Sequence, residues 1–268
     1  MNKGASENPL TLPSPPVGER GLGTHSKPIR LAIWSGPRNI STAMMRSWGN
    51  RQDTYVCDEP LYAHYLLATG IDHPGRDEVM AHHETDWRKV VAWLTGPIPE
   101  GKAIFFQKQM SHHLLPEIDR GWLDGLVHGF LIRDPREMLT SLIKTLPNPR
   151  LVDTGLPQQL ELVGSVRKKS GRVPPIVDAR DVLEAPRPML QPLCDAVGVT
   201  FDDAMLHWPA GRRDTDGVWA KHWYAAVEQS TGFQPYQPKH EAVPPEFHSL
   251  LSQCMDYYEE LHKLRIQP

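Results

Sequence analysis

Short apolar runs of strand length alternate with segments of helical period along most of the chain. The runs are "IRLAIW" (29–34), "TYVCD" (54–58), "KAIFFQK" (102–108), "GLVHGFLIR" (125–133) and "PIVDAR" (175–180). This alternation predicts an α/β fold, a three-layer sandwich whose central parallel sheet is covered by helices on both faces. Ligands bind such sheets at the carboxyl ends of the strands, so the residues after each run are the candidates for function.

Later segments predict two further helices and one loop. "APRPMLQPLCDAVG" ends on Gly198 as a helix with a glycine C-cap does, and "PPEFHSLLSQCMDYYEELHKL" has apolar residues at helical spacing. The Pro-rich "TLPNPRLVDTGLP" is typical of a long surface loop, which could border a substrate site. We expect the two helices to pack in the core.

The first 27 residues differ in composition from the rest of the chain. They are rich in Pro, Gly and Ser and have no continuous apolar segment, which predicts a disordered tail. Because "NPLTLPSPPVGERG" also resembles the translation of a bacterial intergenic repeat, we expect the true start closer to Lys27. Residues 28–268 are expected to form a single domain.

Composition and charge limit the class of protein. The formal net charge is −3, so no broad positive field favours nucleic acid as a partner. No apolar run approaches the roughly 20 residues of a membrane span. The three cysteines are far apart and form neither a metal-type pair nor an even disulfide set, which favours a reducing compartment, with the cytoplasm as the default. Oligomeric state is not predicted.

The segment "SGPRNISTAMM" (35–45) directly follows the first apolar run. A tight turn between a strand and a helix presents free backbone N–H groups and the positive end of the helix dipole to an anion. Arg38 adds a fixed charge to this turn. An ordinary β–α turn with a surface arginine is the alternative. The predicted cofactor-binding residues of the loop are Gly36, Pro37, Arg38, Asn39, Ile40, Ser41 and Thr42.

This loop is not a Walker A motif, because Thr42 stands where that motif has its lysine. Asp58, after the second run, is only a weak candidate for a carboxylate that holds Mg²⁺. Hydrolysis of ATP or GTP is therefore disfavoured. Adjacent histidines such as those in "HHE" (82–84) point about 100° apart on a helix, so a metal site there is not expected either.

A second phosphate site is predicted in "FLIRDPREMLTSLIK". Asp134 has the features of an N-cap, Pro135 of the first helical residue and Glu137 of the capping-box partner, so a helix should begin just after Arg133. Ser141 then lies two turns along, within reach of a group held by Arg133. The alternative for Arg133 is a salt bridge to Asp134 or Glu137.

Together, "GPRNIST" and "IRDPREMLTS" resemble the two nucleotide motifs of the sulfotransferases that use 3′-phosphoadenosine 5′-phosphosulfate (PAPS). In that family a P-loop-like turn with a basic residue and hydroxyl residues holds the 5′-phosphosulfate. An arginine at a strand end, with a serine eight positions on, holds the 3′-phosphate, as Arg133 and Ser141 are spaced here. The resemblance implies a P-loop-type nucleotide fold and sulfuryl transfer from PAPS to a hydroxyl or amine of a small-molecule acceptor.

A third segment, "RRDTDGVWAKHW" (212–223), looks like the family's C-terminal "R-K-G-x-x-G-D-W-K-N-H-F" segment, which closes over the 3′-phosphate. The resemblance implies cofactor-binding roles for Arg212 and Arg213, although Asp214 stands where the family has glycine. Ala43 stands where many members carry a tryptophan that stacks on adenine. Some other residue must therefore cover the base.

The predicted catalytic residues are two cations and a base. Arg38 is assigned to the leaving oxygens, because a guanidinium stays charged and offers several donors. "KQM" stands where cytosolic members have "K-T-H", so Lys108 matches their lysine while methionine replaces their histidine base. Several bacterial and Golgi branches use a glutamate instead, which implies Glu59 as the base here, with His112 or His113 as the alternative. Glu59 could otherwise be a first-turn helix acid.

No metal is expected, because the moving sulfuryl group carries fewer negative charges than a phosphoryl group. Positioning and electrostatic stabilisation by arginine and lysine can supply most of the acceleration. Two other functions stay open: a P-loop kinase-like phosphotransferase that uses ATP and Mg²⁺, and a non-catalytic nucleotide-binding protein.

Overall fold

The computed structural model describes residues 28–239 and 241–267; the tail predicted to be disordered, residues 1–27, lies outside them. Within these ranges five strands form one sheet in the order β2-β3-β1-β4-β5, with every neighbouring pair parallel. Each predicted apolar run overlaps one of the strands, and β1 and β3 extend one and two residues beyond their runs. The strands are β1 (Ile29–Ser35), β2 (Thr54–Asp58), β3 (Ile104–Met110), β4 (Val127–Ile132) and β5 (Ile176–Asp178).

Helices cover both faces of the sheet, because alternate residues of each buried strand need an apolar partner on opposite sides. In β1, Leu31 and Ile33 pack into one core and Ala32 and Trp34 into the other. The α/β three-layer sandwich is thus confirmed. The helices are α1 (Ser41–Gly49), α2 (Tyr62–Thr69), α3 (Arg76–His82), α4 (Trp87–Thr95), α5 (Pro135–Leu142), α6 (Leu156–Ser170), α7 (Ala179–Glu184), α8 (Pro186–Ala196), α9 (Ala220–Trp223), α10 (Ala225–Glu228) and α11 (His248–Lys263).

Both later helices form as predicted. Helix α8 is followed by Gly198 in the left-handed conformation, with φ of 77°, and α11 fills most of the C-terminal periodic segment. No helix within 28–239 or 241–267 has both the length and the apolar content that a bilayer crossing requires.

The prediction of a surface loop after α5 is wrong at its C-terminal end. Residues Leu151–Thr154 form a 3₁₀ turn, in which Asp153 and Thr154 are buried. The carbonyl oxygen of Thr154 lies against Gly36, where an added Cβ would sit 2.4 Å from it. This close approach explains why a glycine is needed at position 36 and fixes the course of the chain leaving β1.

Candidate active site

A cavity of about 370 Å³ opens at the carboxyl ends of the central strands. It lies where the topology of a parallel sheet places ligands. Most of the predicted site residues line it, whereas Gly36, Arg212 and Arg213 do not. The predicted residues on its wall are Pro37, Arg38, Asn39, Ile40, Ser41, Thr42, Glu59, Lys108, His112, Arg133 and Ser141.

The loop after β1 leads directly into α1, as the sequence predicts. The Asn39 side chain donates to the Leu131 carbonyl oxygen at 3.0 Å, which ties the loop to β4. No side chain caps α1, whose N-cap is Ile40. The first-turn N–H groups of a helix have no intrahelical acceptor. They therefore lie beside the cavity with the positive end of the helix dipole.

Arg38, Arg133 and Ser141 form one group, and we call the part of the cavity around these three residues the arginine end. Arg38 Nε donates to Ser141 Oγ at 2.8 Å, and Arg133 Nη1 donates to the Arg38 carbonyl oxygen at 2.8 Å. Burial and the neighbouring Arg133 lower the pKa of Arg38. The two arginines thus share one cleft and lie side by side, rather than at two well-separated pockets.

Arg133 also makes the salt bridge that the alternative interpretation expects. Its guanidinium donates to Glu137 Oε2 at 2.9 and 3.1 Å. Asp134 caps α5 as predicted, since its carboxylate accepts from the Arg136 N–H at 2.8 Å. The capping-box prediction for Glu137 is wrong, because its carboxylate bonds Arg133 and the Tyr236 hydroxyl instead.

Lys108 is the centre of a second group, which we call the lysine cluster (Asp58, Glu59, Lys108 and Tyr224). Its Nζ donates to Asp58 Oδ1 at 2.8 Å, Glu59 Oε1 at 2.6 Å and the Tyr224 hydroxyl at 2.7 Å. The Tyr224 hydroxyl in turn donates to Asp58 Oδ2 at 2.6 Å. Asp58 and Lys108 meet because they are paired in register at the ends of β2 and β3. Asp58 is therefore an ion-pair partner.

Burial and charge act in opposite directions inside the lysine cluster. Burial raises the pKa of Glu59; the nearby Lys108 opposes this rise and the Asp58 carboxylate adds to it. Burial alone would lower the pKa of Lys108, but the two carboxylates and Tyr224 raise it well above its ordinary value. Lys108 therefore stays charged, and Glu59 can take a proton more readily than an exposed glutamate does.

Backbone strain is concentrated at the cavity. The described non-glycine residues with positive φ are Arg38 (58°), Glu59 (43°) and Glu100 (56°). Left-handed backbone costs roughly 1 to 3 kcal/mol at such residues, and it collects at ligand sites. Two of these three residues were assigned catalytic roles from sequence. Two backbone hydrogen bonds hold Glu59 in place. The Glu59 N–H donates to the Lys108 carbonyl, and the Glu59 carbonyl accepts from the Tyr62 N–H.

His112 and His113 lie just beyond β3 in a buried turn. The His113 ring stacks between Tyr62 and Tyr65, with centroid distances of 4.9 and 4.6 Å. In the described part of the chain, Nδ1 of neither histidine has a hydrogen-bond partner. Burial lowers the pKa of His112 to about 4 and that of His113 well below its ordinary value. Both imidazoles are neutral at pH 7.

The segment 212–223 contributes tryptophans to the cavity wall, whereas its two arginines bond elsewhere. Arg212 Nε lies 3.8 Å from Glu228, and the Arg213 guanidinium bonds the Pro209 carbonyl. Trp219 and Trp223 instead form part of the cavity wall.

A buried ion pair attaches the segment 212–223 to α1. Arg46 of α1 donates to both carboxylate oxygens of Asp216, at 2.5 and 2.7 Å. The next residue, Gly217, donates its N–H to Asp58 Oδ2 at 3.2 Å. The segment therefore connects α1 to the lysine cluster.

Five polar residues of the cavity wall were not assigned from sequence: Tyr62, His73, Thr145, Tyr224 and Lys239. Tyr62 follows Glu59 by three residues, and its hydroxyl lies 2.7 Å from His73 Nδ1. Tyr224 comes directly after the segment matched to the family, which is the one signal that could have found it. Over the described residues, no three His, Cys, Asp or Glu side chains are placed to hold a metal ion.

Comparison with known proteins places the chain in a family. The family described as "Sulfotransferase domain" matches residues 29–265. The chain belongs to this sulfotransferase family, which supports sulfotransferase activity in general.

Two curated relatives come from Arabidopsis thaliana. "Branched-chain-amino-acid aminotransferase-like protein 2" is 35% identical over 86% of this chain and 41% of its own length. "Branched-chain-amino-acid aminotransferase-like protein 1" is 34% identical over 88% of this chain and 42% of its own length. The chain thus spans about two fifths of the length of these relatives.

Two solved structures are similar at low identity. The sulfotransferase domain from the curacin biosynthetic pathway has 14% identity and a TM-score of 0.49, and the alignment covers 90% of this chain and 99% of that one. The sulfotransferase domain from the Synechococcus PCC 7002 olefin synthase has 18% identity and a TM-score of 0.48, with 88% and 98% covered.

Proposed function

We propose that this chain transfers a sulfuryl group from PAPS to a hydroxyl or amine of a small-molecule acceptor. The observation that carries the proposal is that one cavity joins the uncapped start of α1, the arginine end and the lysine cluster. The first two are suited to bind phosphates, and the third pairs a cation with a carboxylate where transfer would occur.

The donor would be held by charge and by backbone dipoles. The 5′-phosphosulfate lies at the N–H groups of Ser41 and Thr42, and the 3′-phosphate lies at Arg133 and Ser141. Arg38 can serve both, because it is bonded only to the neutral Ser141 side chain in the described structure. Aromatic rings on the cavity wall, such as those of Trp219 and Trp223, are available to cover the adenine.

The transfer step uses the lysine cluster. The acceptor oxygen or nitrogen forms a bond to sulfur while the bond from sulfur to the bridging phosphate oxygen breaks, and the electron pair leaves with 3′,5′-ADP. Glu59 takes the acceptor proton, and Lys108 and Arg38 stabilise the charge that gathers on the leaving phosphate. Asp58 and Tyr224 keep Lys108 bonded when Glu59 is protonated.

His112 is the alternative base. It lines the same cavity, but its low pKa makes it a weak acceptor of protons at pH 7. Glu59 is favoured because it is already bonded to the cation of the transfer site. A conservative Glu59→Gln variant separates the two, since it should abolish transfer only if Glu59 is the base.

The names of the Arabidopsis relatives refer to aminotransferases, and less than half of each of those chains aligns here. The proposal rests on the sulfotransferase match over residues 29–265. We also infer a cytoplasmic location, since all three cysteines are unpaired and buried.

The test combines ligand binding with turnover. PAPS and 3′,5′-ADP should raise the melting temperature much more than 5′-AMP, and ³⁵S-labelled PAPS should transfer its label to members of an acceptor library. Equal shifts from all three nucleotides would argue against PAPS. A shift with ATP that depends on Mg²⁺ would favour the kinase. Binding of PAPS without transfer to any acceptor, in both wild type and Glu59→Gln, would favour the non-catalytic nucleotide-binding protein.

A further inference from the structure

A short segment near the C-terminus crosses the arginine end from outside. We call residues 233–239 the strap. The Tyr236 hydroxyl donates to Glu137 Oε1 at 2.5 Å, and Lys239 Nζ donates to the Glu137 carbonyl oxygen at 3.2 Å. The strap is thus fastened to the residue that also pairs with Arg133, and Lys239 lines the cavity together with Arg38 and Arg133.

Positive charge at this end exceeds the negative charge that is available to neutralise it. Among the described residues that line the cavity, Glu59 is the one carboxylate, and it is bonded to Lys108. Glu137 pairs with Arg133 from outside the cavity wall. Two cations, Arg38 and Lys239, are left with neutral partners.

Burial and the neighbouring cations both disfavour the charged form of Lys239. The pKa of Lys239 is lowered by burial, then by Arg133 and by Arg38, with Glu137 opposing. Lowering the pKa of a cation means that its charged form is less favourable in the folded protein. An anion bound among the three groups would offset the repulsion between them, which is the arrangement expected of a phosphate site.

We propose that Lys239 is a third cation of the donor site and binds the same phosphate as Arg133, the 3′-phosphate of the nucleotide. The inference rests on the proposed function. It assigns to the strap the positive charge that the resemblance to the family predicts for Arg212 and Arg213, which lie off the cavity wall. The residue Lys239 is exposed as a whole, but its long side chain brings the ammonium to the partly buried cavity wall. The ammonium can therefore move from the Glu137 carbonyl to a phosphate oxygen without a change in the fold.

The experiment measures the affinity of 3′,5′-ADP and of 5′-AMP for three proteins by titration calorimetry. Lys239→Met should weaken 3′,5′-ADP roughly tenfold and 5′-AMP less than about twofold, because only the first ligand carries the 3′-phosphate. Lys239→Arg should retain most of the discrimination. Lys144→Met is the matched control, since Lys144 pairs with Glu241 at 2.7 Å and lies off the cavity wall; it should change both affinities less than about twofold.

The outcomes separate this inference from the proposed function. If wild type prefers 3′,5′-ADP and Lys239→Met keeps the full preference, or weakens both nucleotides equally, Lys239 does not bind the 3′-phosphate. If wild type itself binds the two nucleotides equally, the PAPS proposal fails and the assignment of Lys239 fails with it. A melting temperature without ligand that equals that of wild type shows that each variant is folded.

Discussion

The arginine end and the lysine cluster contribute to the same cavity, but their charged side chains differ in burial and in how many bonded partners they have. In the lysine cluster the side chains of Lys108 and Asp58 are 2% and 1% exposed, and the ammonium has three bonded partners. At the arginine end Arg133 is 16% exposed, and within the described residues the Arg38 side chain bonds only the Ser141 hydroxyl. The lysine cluster is complete without a ligand, whereas the arginine end has charge that a ligand can neutralise.

This difference in charge pairing predicts which substitutions change the stability of the fold and which change ligand affinity. A buried ion pair loses several kcal/mol when one partner is removed, because the other charge is left without water or a counter-ion. A partly exposed cation loses much less, because water replaces its partner. Substitutions in the lysine cluster should therefore lower stability and turnover together. Substitutions at the arginine end should mainly weaken ligand binding.

The largest effect is expected for Lys108→Met. It leaves the carboxylates of Asp58 and Glu59 buried together and should lower the free energy of unfolding by about 3 to 5 kcal/mol. Turnover should fall on the order of a thousandfold, because the charge at the transfer site is lost. Urea denaturation and the labelled-PAPS assay measure the two effects.

A charge-balanced variant tests the cause of this loss. Adding Asp58→Asn and Glu59→Gln to Lys108→Met should recover part of the stability but none of the activity. The matched control is Lys102→Met, whose partly exposed ammonium bonds the Gln52 carbonyl and should cost less than about 1 kcal/mol. A Lys108→Met protein as stable as wild type would contradict the comparison.

Arg133→Met should show the reverse pattern. We expect 3′,5′-ADP to bind about a hundredfold more weakly, since charge-assisted bonds to a phosphate are lost. Stability should fall by only about 1 to 2 kcal/mol, because Glu137 keeps its bond from the Tyr236 hydroxyl. Arg136→Met, on the same helix but exposed and paired with Asp134 at 3.3 Å, is the control. A stability loss as large as that of Lys108→Met would show that Arg133 is structural.

The neutral histidines next to the lysine cluster predict a loss of stability in acid. The pKa of His112 is about 4 in the folded protein, against 6.5 ordinarily, so the unfolded chain binds more protons as the pH falls below 6.5. Stability should therefore decrease by about 2 kcal/mol from pH 7 to pH 5 on account of His112, with His113 adding to the loss. Denaturation at both pH values measures it.

The His112→Gln variant should be less sensitive to acid than wild type. His82→Gln, at an exposed position on α3, should leave the pH dependence unchanged. The same pH dependence in wild type and His112→Gln would show that the buried imidazole does not titrate on unfolding.

Local patterns predicted much of the sheet and of the arginine end. The strands follow from apolar runs. The loop after β1 lies in a motif of seven residues, and Arg133 and Ser141 lie in one of ten, so short-range spacing is enough to relate the residues within each motif. Glu137 shows the limit of such reasoning. Its capping-box position is a local preference, but the charged Arg133 and the remote Tyr236 offer stronger bonds.

The lysine cluster could be predicted only in part, because it depends on long-range packing. Lys108 and Glu59 follow strand ends, but the Tyr224 hydroxyl reaches Asp58 across 166 positions of the chain. Lys239 comes to the cavity through contacts with α5 that are about a hundred residues distant in sequence. No periodicity or motif indicates where such segments return to the sheet.

The smallest expected effect comes from removing one hydroxyl from the lysine cluster and one from the arginine end. Tyr224→Phe leaves the buried Lys108 and Asp58 each without one partner and should cost on the order of 1.5 kcal/mol of stability. Ser141→Ala should cost less than about 0.5 kcal/mol, because Arg38 faces the cavity and can bond water instead. Thermal and urea denaturation of the two variants measure the difference. Equal losses would mean that the two regions do not differ in how completely their charges are paired before a ligand binds.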